Sequence, residues 1–287
     1  MSEKIIEFKI GCDVEFVCLD KYKKIIRATD YVDTYGDLGA DGNGMIFEVR
    51  PEPSNDPIDI VKNIHDIFSC GISRKNILHF EWCSGSCHNH YPLGGHIHFG
   101  IKNIDYQKIV YVLDNYLGSL SLLIENRNDG RKRRDEGYGF MGDWREKEHG
   151  FEYRVVSSWL VSPYMAYAIL CLSKTIVYEF LNNKEYKWNS YFNSLDKEIF
   201  LQMRLYPIKQ KFLSIWRDIT KMILYQKYKL YIDLIYFLVK NELTWFPKNT
   251  MKEAWGIMDL SKIDRINKID LDIIWLKYNS LKKQNLL

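Results

Sequence analysis

The chain has 287 residues, with 46% hydrophobic and 27% charged content and a formal net charge of +3. This is the composition of an ordinary globular protein, and so small a net charge gives no argument for nucleic-acid binding. Six cysteines scattered through apolar segments, and a charged N-terminus that runs straight into a strand, fit a reducing cytoplasm better than a secreted disulfide scaffold. No run approaches the ~20 apolar residues of a membrane span, so no membrane partner is expected.

Residues 5–19 alternate as a strand, and a second β segment is expected near 24–33. The stretch TYGDLGADGNG then reads as a loop, because its glycines and aspartates mark turns. Residues 45–51 form the next strand, ended by Pro51 and Pro53. Asn55-Asp56-Pro57 opens a helix with cap chemistry and a buried stripe of Ile60, Val61, Ile64, Ile67 and Phe68. NILHFEW (76–82) alternates again. CSGSCHNHYPLGG leads into a strand at 95–101, and Asp105 caps a helix reaching about Glu125.

Residues 126–150 lack apolar periodicity and mix arginines with glycines, so they read as a long loop. Such loops are functional or disordered, and this one is expected to be mobile and to order over an anion. A strand at 150–157 follows. Ser162-Pro163 then opens a helix, and the chain beyond 185 reads as helical, with Pro207 a kink or early break. Residues 1–160 thus form a sheet-bearing α+β part, and 161–287 a mainly helical part packed on it.

Four strand segments carry polar pairs spaced i, i+2: Asp13 and Glu15, Glu48 and Arg50, His96 and His98, and Glu152 and Arg154. That spacing places each pair on one face of its strand. The flanking Val14, Phe16, Phe47, Val49, Ile97, Phe99, Tyr153 and Val155 form the opposite, apolar face. Carboxylates suit Mg²⁺, and a histidine among them suits Mn²⁺. Arginines give bidentate recognition of phosphate. A single pair could belong to a solvated sheet face, but four such pairs undiluted by Thr, Ser, Lys or Gln favour a site; Arg50 and Arg154 could also serve as structural ion pairs. The arginines at 131, 133 and 134 read individually as a solvated charge run. The Cys83, Cys87, His88 and His90 cluster is a poor zinc pattern and reads as a loop near the site. No GxxxxGK[ST] or GxGxxG phosphate loop is present.

The succession GCDVEF, FEVRPEPS, GGHIHFG and RRDEGYGFMGDWREKEHGFEYRVVSSWL resembles the phage-type carboxylate–amine ligases (amidoligases) of the glutamine synthetase and glutamate–cysteine ligase superfamily, over roughly residues 8–165. The resemblance implies a curved antiparallel sheet with helices on its convex face, binding ATP and Mg²⁺ or Mn²⁺. Glu15, Glu48, His96 and Glu152 would be metal ligands. His98 would face the nucleotide phosphates, and Arg154 the transferred phosphate. Arg134, Tyr138 and Arg145 would contact substrate or phosphate, with Arg145 and Arg50 beside the reacting groups. The implied reaction is ATP-dependent amide formation between a carboxylate and an amine, with peptides or amino acids among the candidate substrates and a homo-oligomer compatible with it. A phosphotransferase, or a non-catalytic virion protein retaining the fold, is the alternative. The recognisable ammonia-site loop of glutamine synthetase is missing, so glutamate and ammonia are not implied.

Overall fold

Alternating side chains from Ile10 to Leu19 build the central strand of an antiparallel sheet. The computed structural model describes residues 5–71, 77–193, 202, 205–245 and 251–257. Strand β1 (Ile10–Leu19) lies between β3 (Ile46–Val49) and β7 (Gly95–Phe99), with β4 (Glu81–Cys83) also paired to it. Strand β2 (Leu38–Asp41) adds to β3. Strand β9 (Gly150–Tyr153) adds to β7, and β8 (Trp144–Lys147) closes the far edge, giving the order β2-β3-β1-β7-β9-β8. A small hairpin of β5 (Cys87–His88) and β6 (Tyr91–Pro92) stands apart from this sheet.

The register confirms that one face is apolar. Val14 pairs with Val49 and Phe16 with Phe47, while Ile97 pairs with Tyr153 and Phe99 with Phe151. All eight are essentially inaccessible to solvent. Against this face pack α1 (Pro57–Asp66), α2 (Tyr106–Leu113) and α5 (Pro163–Asn182), with α6 (Leu205–Ile219) and α7 (Tyr225–Lys240) outside them. The helix starts follow their sequence signals: Asp56 accepts from Ile58 N–H, Asp105 from Lys108 N–H and Ser162 from Met165 N–H. Helix α2 continues through a π turn at Asp114–Gly118 into α3 (Ser119–Ile124), as the single helix expected there does to within one turn. Pro207 sits in the first turn of α6, where its missing N–H removes no helical bond.

Helix α5 is long and apolar enough, by length and composition, to cross a bilayer, although Ser173, Lys174 and Glu179 interrupt its most apolar stretch, Tyr167 to Leu181. In this fold 83% of its apolar window is buried inside the protein. Its two charges have internal partners: Lys174 donates to the Phe8 carbonyl at 2.7 Å, and Glu179 accepts from Ile223 N–H at 2.6 Å.

Four local expectations are corrected. Residues 24–33 hold an isolated bridge and a 3₁₀ turn (Ala28–Asp30) rather than a strand. The glycine-rich loop contains β2, which pairs with β3 across a turn whose Gly42, Asn43 and Gly44 take positive φ. Residues 77–80 turn back, leaving only 81–83 as strand. Residues 126–150 are mostly regular: α4 (Arg127–Asp135) and the β8–β9 hairpin leave a connection at 136–143. Helix α4 needs no apolar stripe. Asn126 caps it by accepting from Asn128 and Asp129 N–H, and Lys132, Arg133 and Arg134 complement the dipole at its end. The helical readings for 194–201, 203–204 and 258–287 fall outside the described residues.

Candidate metal and anion site

The other sheet face collects the polar pairs. Glu15 stands directly opposite Glu48, Asp13 opposite His96, and His98 opposite Glu152, which in turn faces Arg145. Glu15, Glu48 and His96 each bring a ligand atom to within 4.8 Å of the others, and all three are buried. Burial pushes the Glu15 carboxyl up to about 8, with the Glu48 and Asp41 charges adding to it against the Gly94 N–H that donates at 2.5 Å. Burial likewise raises Glu48 to about 7, aided by Asp13 and resisted by Arg50. Burial lowers His96 to about 3, outweighing nearby Glu152 and leaving the imidazole neutral. Two carboxylates and a neutral imidazole, crowded in a dry setting, fit a Mg²⁺ or Mn²⁺ ion as a donor set. Gly94 makes room for the ring: a Cβ there would come within 2.2 Å of His96 Nε2.

Glu152 lies beside this group rather than in it. Its side chain is wholly buried, and cations converge on it. Arg145 Nη2 lies 2.7 Å from Oε2, Lys147 Nζ 2.9 Å from Oε2, and Arg154 Nε 3.5 Å from Oε1. His96 Nδ1 is 3.2 Å from Oε1, yet Oε1 has no hydrogen bond. Burial alone would raise this carboxyl, but His96, Lys147 and Arg145 hold it below its ordinary range. Glu152 therefore joins the carboxylate–imidazole cluster to a cationic cluster. Lys147 was missed from sequence, although Arg145 and Lys147 carry the same i, i+2 signal as the other pairs.

The remaining residues divide by environment. Asp13 sits 3.1 Å from His98 Nε2, and this contact offsets the burial that would otherwise raise it, so its carboxyl lies low. Arg50 pairs with Glu48 and donates to the Thr34 carbonyl at 3.2 Å, tethering the loop before β2. Its guanidinium lies over Gly39, where a Cβ would meet Nη1 at 2.1 Å. Arg134 is corrected from a solvated charge: it is 4% exposed, bonded to Glu125 at 3.0 Å and to the Gly130 carbonyl at 2.7 Å. Glu125 also accepts from Ser157, so Arg134 acts on the strand's continuation rather than on the open face. Arg133 is buried too, and caps the Arg154, Val155 and Val156 carbonyls. Tyr138 is exposed, three residues past the end of α4. His90 pairs with Glu136 at 3.1 Å, and Cys83 and Cys87 are buried apart from any metal-ligand group among the described residues.

The class this fold and site define is an α+β protein whose antiparallel sheet sets a carboxylate–imidazole cluster beside a cationic one. Residues 10–257 match the family described as phage phiEco32-like COOH.NH2 ligase-type 2, and the chain belongs to that family. No curated protein matches it. Among solved structures it is similar to the ligase PafA, in the complex with the prokaryotic ubiquitin-like protein Pup, with a TM-score of 0.55 at 9% identity, covering 96% of this chain and 69% of that one. A bifunctional glutathione synthetase from Pasteurella multocida gives a TM-score of 0.49 at 12% identity, covering 88% of this chain. The chain spans about half the length of that synthetase, 48%. At these identities the likeness to PafA is one of fold.

Proposed function

We propose that this protein is an ATP-dependent ligase that joins a carboxylate to an amine through an acyl phosphate. The observation that carries the reading is the adjacency of the two clusters through one side chain, Glu152. Family membership supplies the bond type.

Glu15, Glu48 and His96 would hold a divalent cation, with Glu152 at its border. A metal bound there supplies positive charge to the β- and γ-phosphates of ATP. The protein's own groups do the rest. Arg145, Lys147 and Arg154 are placed to receive the oxygens of the transferred phosphoryl group and to stabilise its charge. The substrate carboxylate forms a bond to the γ-phosphorus as ADP leaves. The amine nitrogen then bonds to the acyl carbon, the C–O bond to phosphate breaks, and the amine gives up a proton. Arg50 positions Glu48. Arg133 and Arg134 hold the backbone that follows Glu152, so their role is positioning. His98, beside Asp13, faces the region next to these phosphates.

The test is incubation with ATP, Mg²⁺, hydroxylamine and a panel of carboxylic acids. Hydroxamate formed with one acid supports the reading and names the acid. ADP released with every acid, and hydroxamate with none, would assign a phosphotransferase. Failure to bind ATP in the presence of Mg²⁺ would overturn both.

A further inference from the structure

The polar floor continues past the metal-ligand group along β1 and β7. On β1 the same-face series Gly11, Asp13, Glu15 is preceded by Lys9, one residue before the strand; on β7 His96 and His98 are followed, past the strand's end, by Gly100 and Lys102. The ladder aligns the two in opposite directions: Asp13 pairs with His96 and Gly11 with His98, while Gly100 N–H donates to the Lys9 carbonyl at 2.9 Å. Charge therefore changes sign along the floor. Carboxylates stand at one end, glycines in the middle, and two lysines at the other.

A cleft of 680 Å³ lies over this stretch, floored by Gly11, Asp13, His98 and Gly100 and walled by Pro53 and His149. Lys9 and Lys102 line its outer end, together with Glu7, whose carboxylate is 3.9 Å from Lys174. The His149 ring stacks on His98 with centroids 5.2 Å apart. His98 Nε2 is buried in this floor, 3.1 Å from the Asp13 carboxylate.

Gly11 is informative because folding does not require it. A Cβ there would meet Pro53 at 3.5 Å and His98 at 3.7 Å, both ordinary contacts, whereas one at Gly94 would collide with His96 at 2.2 Å. Its missing side chain leaves room in the cleft and relieves no clash.

We infer that this cleft holds the amine substrate, and that this substrate is an extended zwitterion of short-peptide type, with its amine at Asp13 and its carboxylate between Lys9 and Lys102. The inference rests on the ligase reading for the chemistry at the inner end. The four residue steps from Lys9 to Asp13 span about 13 Å of strand, and an extended tripeptide reaches about 10 Å, so its length matches the span to within about 3 Å. An ammonium is attracted to the Asp13 end and repelled at the lysine end, and a carboxylate the reverse. The charge order thus fixes the direction in which such a molecule lies, with the amine nearest the metal and phosphate groups.

The test uses triglycine as probe, with triglycine amide and N-acetyl-triglycine as controls, titrated calorimetrically into the full chain. Binding of ATP with Mg²⁺ is measured in parallel. Triglycine should bind about tenfold tighter than either control, the worth of one desolvated ion pair. Lys9→Ala with Lys102→Ala should bring triglycine down to the level of its amide. Gly11→Val should abolish triglycine binding while leaving ATP binding intact. Equal affinity for all three peptides, or no triglycine binding in a protein that binds ATP with Mg²⁺, would overturn the inference and leave the ligase reading standing. Loss of ATP binding in the wild-type chain would remove the ligase reading and this inference with it.

Discussion

Glu15 and Glu48 are direct cross-strand partners on β1 and β3, and each is less than a tenth exposed. Two like-charged groups opposed on adjacent strands destabilise a sheet; burial raises both carboxyls, Glu15 to about 8 with the Glu48 charge adding to it, and Glu48 to about 7 with Asp13 adding to it.

Their pH dependence has a definite sign. Both folded values lie above the unfolded carboxylate range, so the native state holds more protons than the unfolded one between about 4.5 and 8, and stability falls with rising pH there. His96, lowered to about 3, opposes this below its unfolded value of 6.5. The clean window is therefore 6.5 to 8. In EDTA, melting temperature should fall across that window. Added Mn²⁺ or Mg²⁺ should raise it more at pH 8 than at pH 6.5. A metal response independent of pH would separate the carboxyl pair from metal binding.

Glu48→Ala and Glu152→Ala should behave oppositely without metal. Removing Glu48 relieves like-charge repulsion, so the melting temperature should hold or rise. Removing Glu152 leaves Arg145, Lys147 and Arg154 facing one another, at a cost of about 2 kcal/mol once solvent screening of the partly exposed partners is allowed for. Both variants should lose ATP turnover. Thermal melts in EDTA beside an ADP-release assay check the pair, and a matched fall in stability would contradict the charge map.

Gly94→Ala should fold normally yet lose its metal response. The atoms nearest the new Cβ are those at the far end of the His96 ring, so the ring moves rather than the backbone. Denaturant melts should change by less than about 1 kcal/mol, while the Mn²⁺-induced stabilisation shrinks. An unchanged Mn²⁺ titration would remove His96 from the ligand set.

Arg133→Ala should destabilise by about 3 kcal/mol or more, because it strips a buried cation from three carbonyls at 2.8, 3.1 and 3.4 Å. Arg131→Ala, whose one hydrogen bond among the described residues is a 3.4 Å contact at the surface, should stay within about 0.5 kcal/mol. Urea melts of the two variants give the comparison, and equal midpoints would refute the asymmetry.

How far the sequence carries the fold depends on where the side chains put their polarity. Strands β1, β3, β7 and β9 are legible because alternating large apolar residues fix a face, and a register slip would swap it. Strand β2 is not, since LGAD holds one large apolar side chain and its pairing is set by the Gly42–Gly44 turn. Helix α4 hides for the opposite reason: it is polar all round, and its stability comes from a cap, end charges and two arginines buried in the protein. The candidate site follows the same rule. Spacing brings Glu15, Glu48, His96 and Glu152 to one face. Which of them share a cation and which face arginine and lysine depends on the β8–β9 hairpin, whose pairing no single segment reveals.

Strand β8 is the last strand of the sheet, and among the described residues its outer edge has no partner strand. Such an edge is a template on which another chain can add. Its middle residues, Arg145 and Glu146, are exposed, and Lys147 follows them. Closely spaced charges along an edge discourage that addition. The same arginine and lysine that face Glu152 thus also guard the protein against self-association. Neutralising both would leave the edge open to intermolecular pairing, so loss of activity in such a double variant has to be separated from loss of soluble protein.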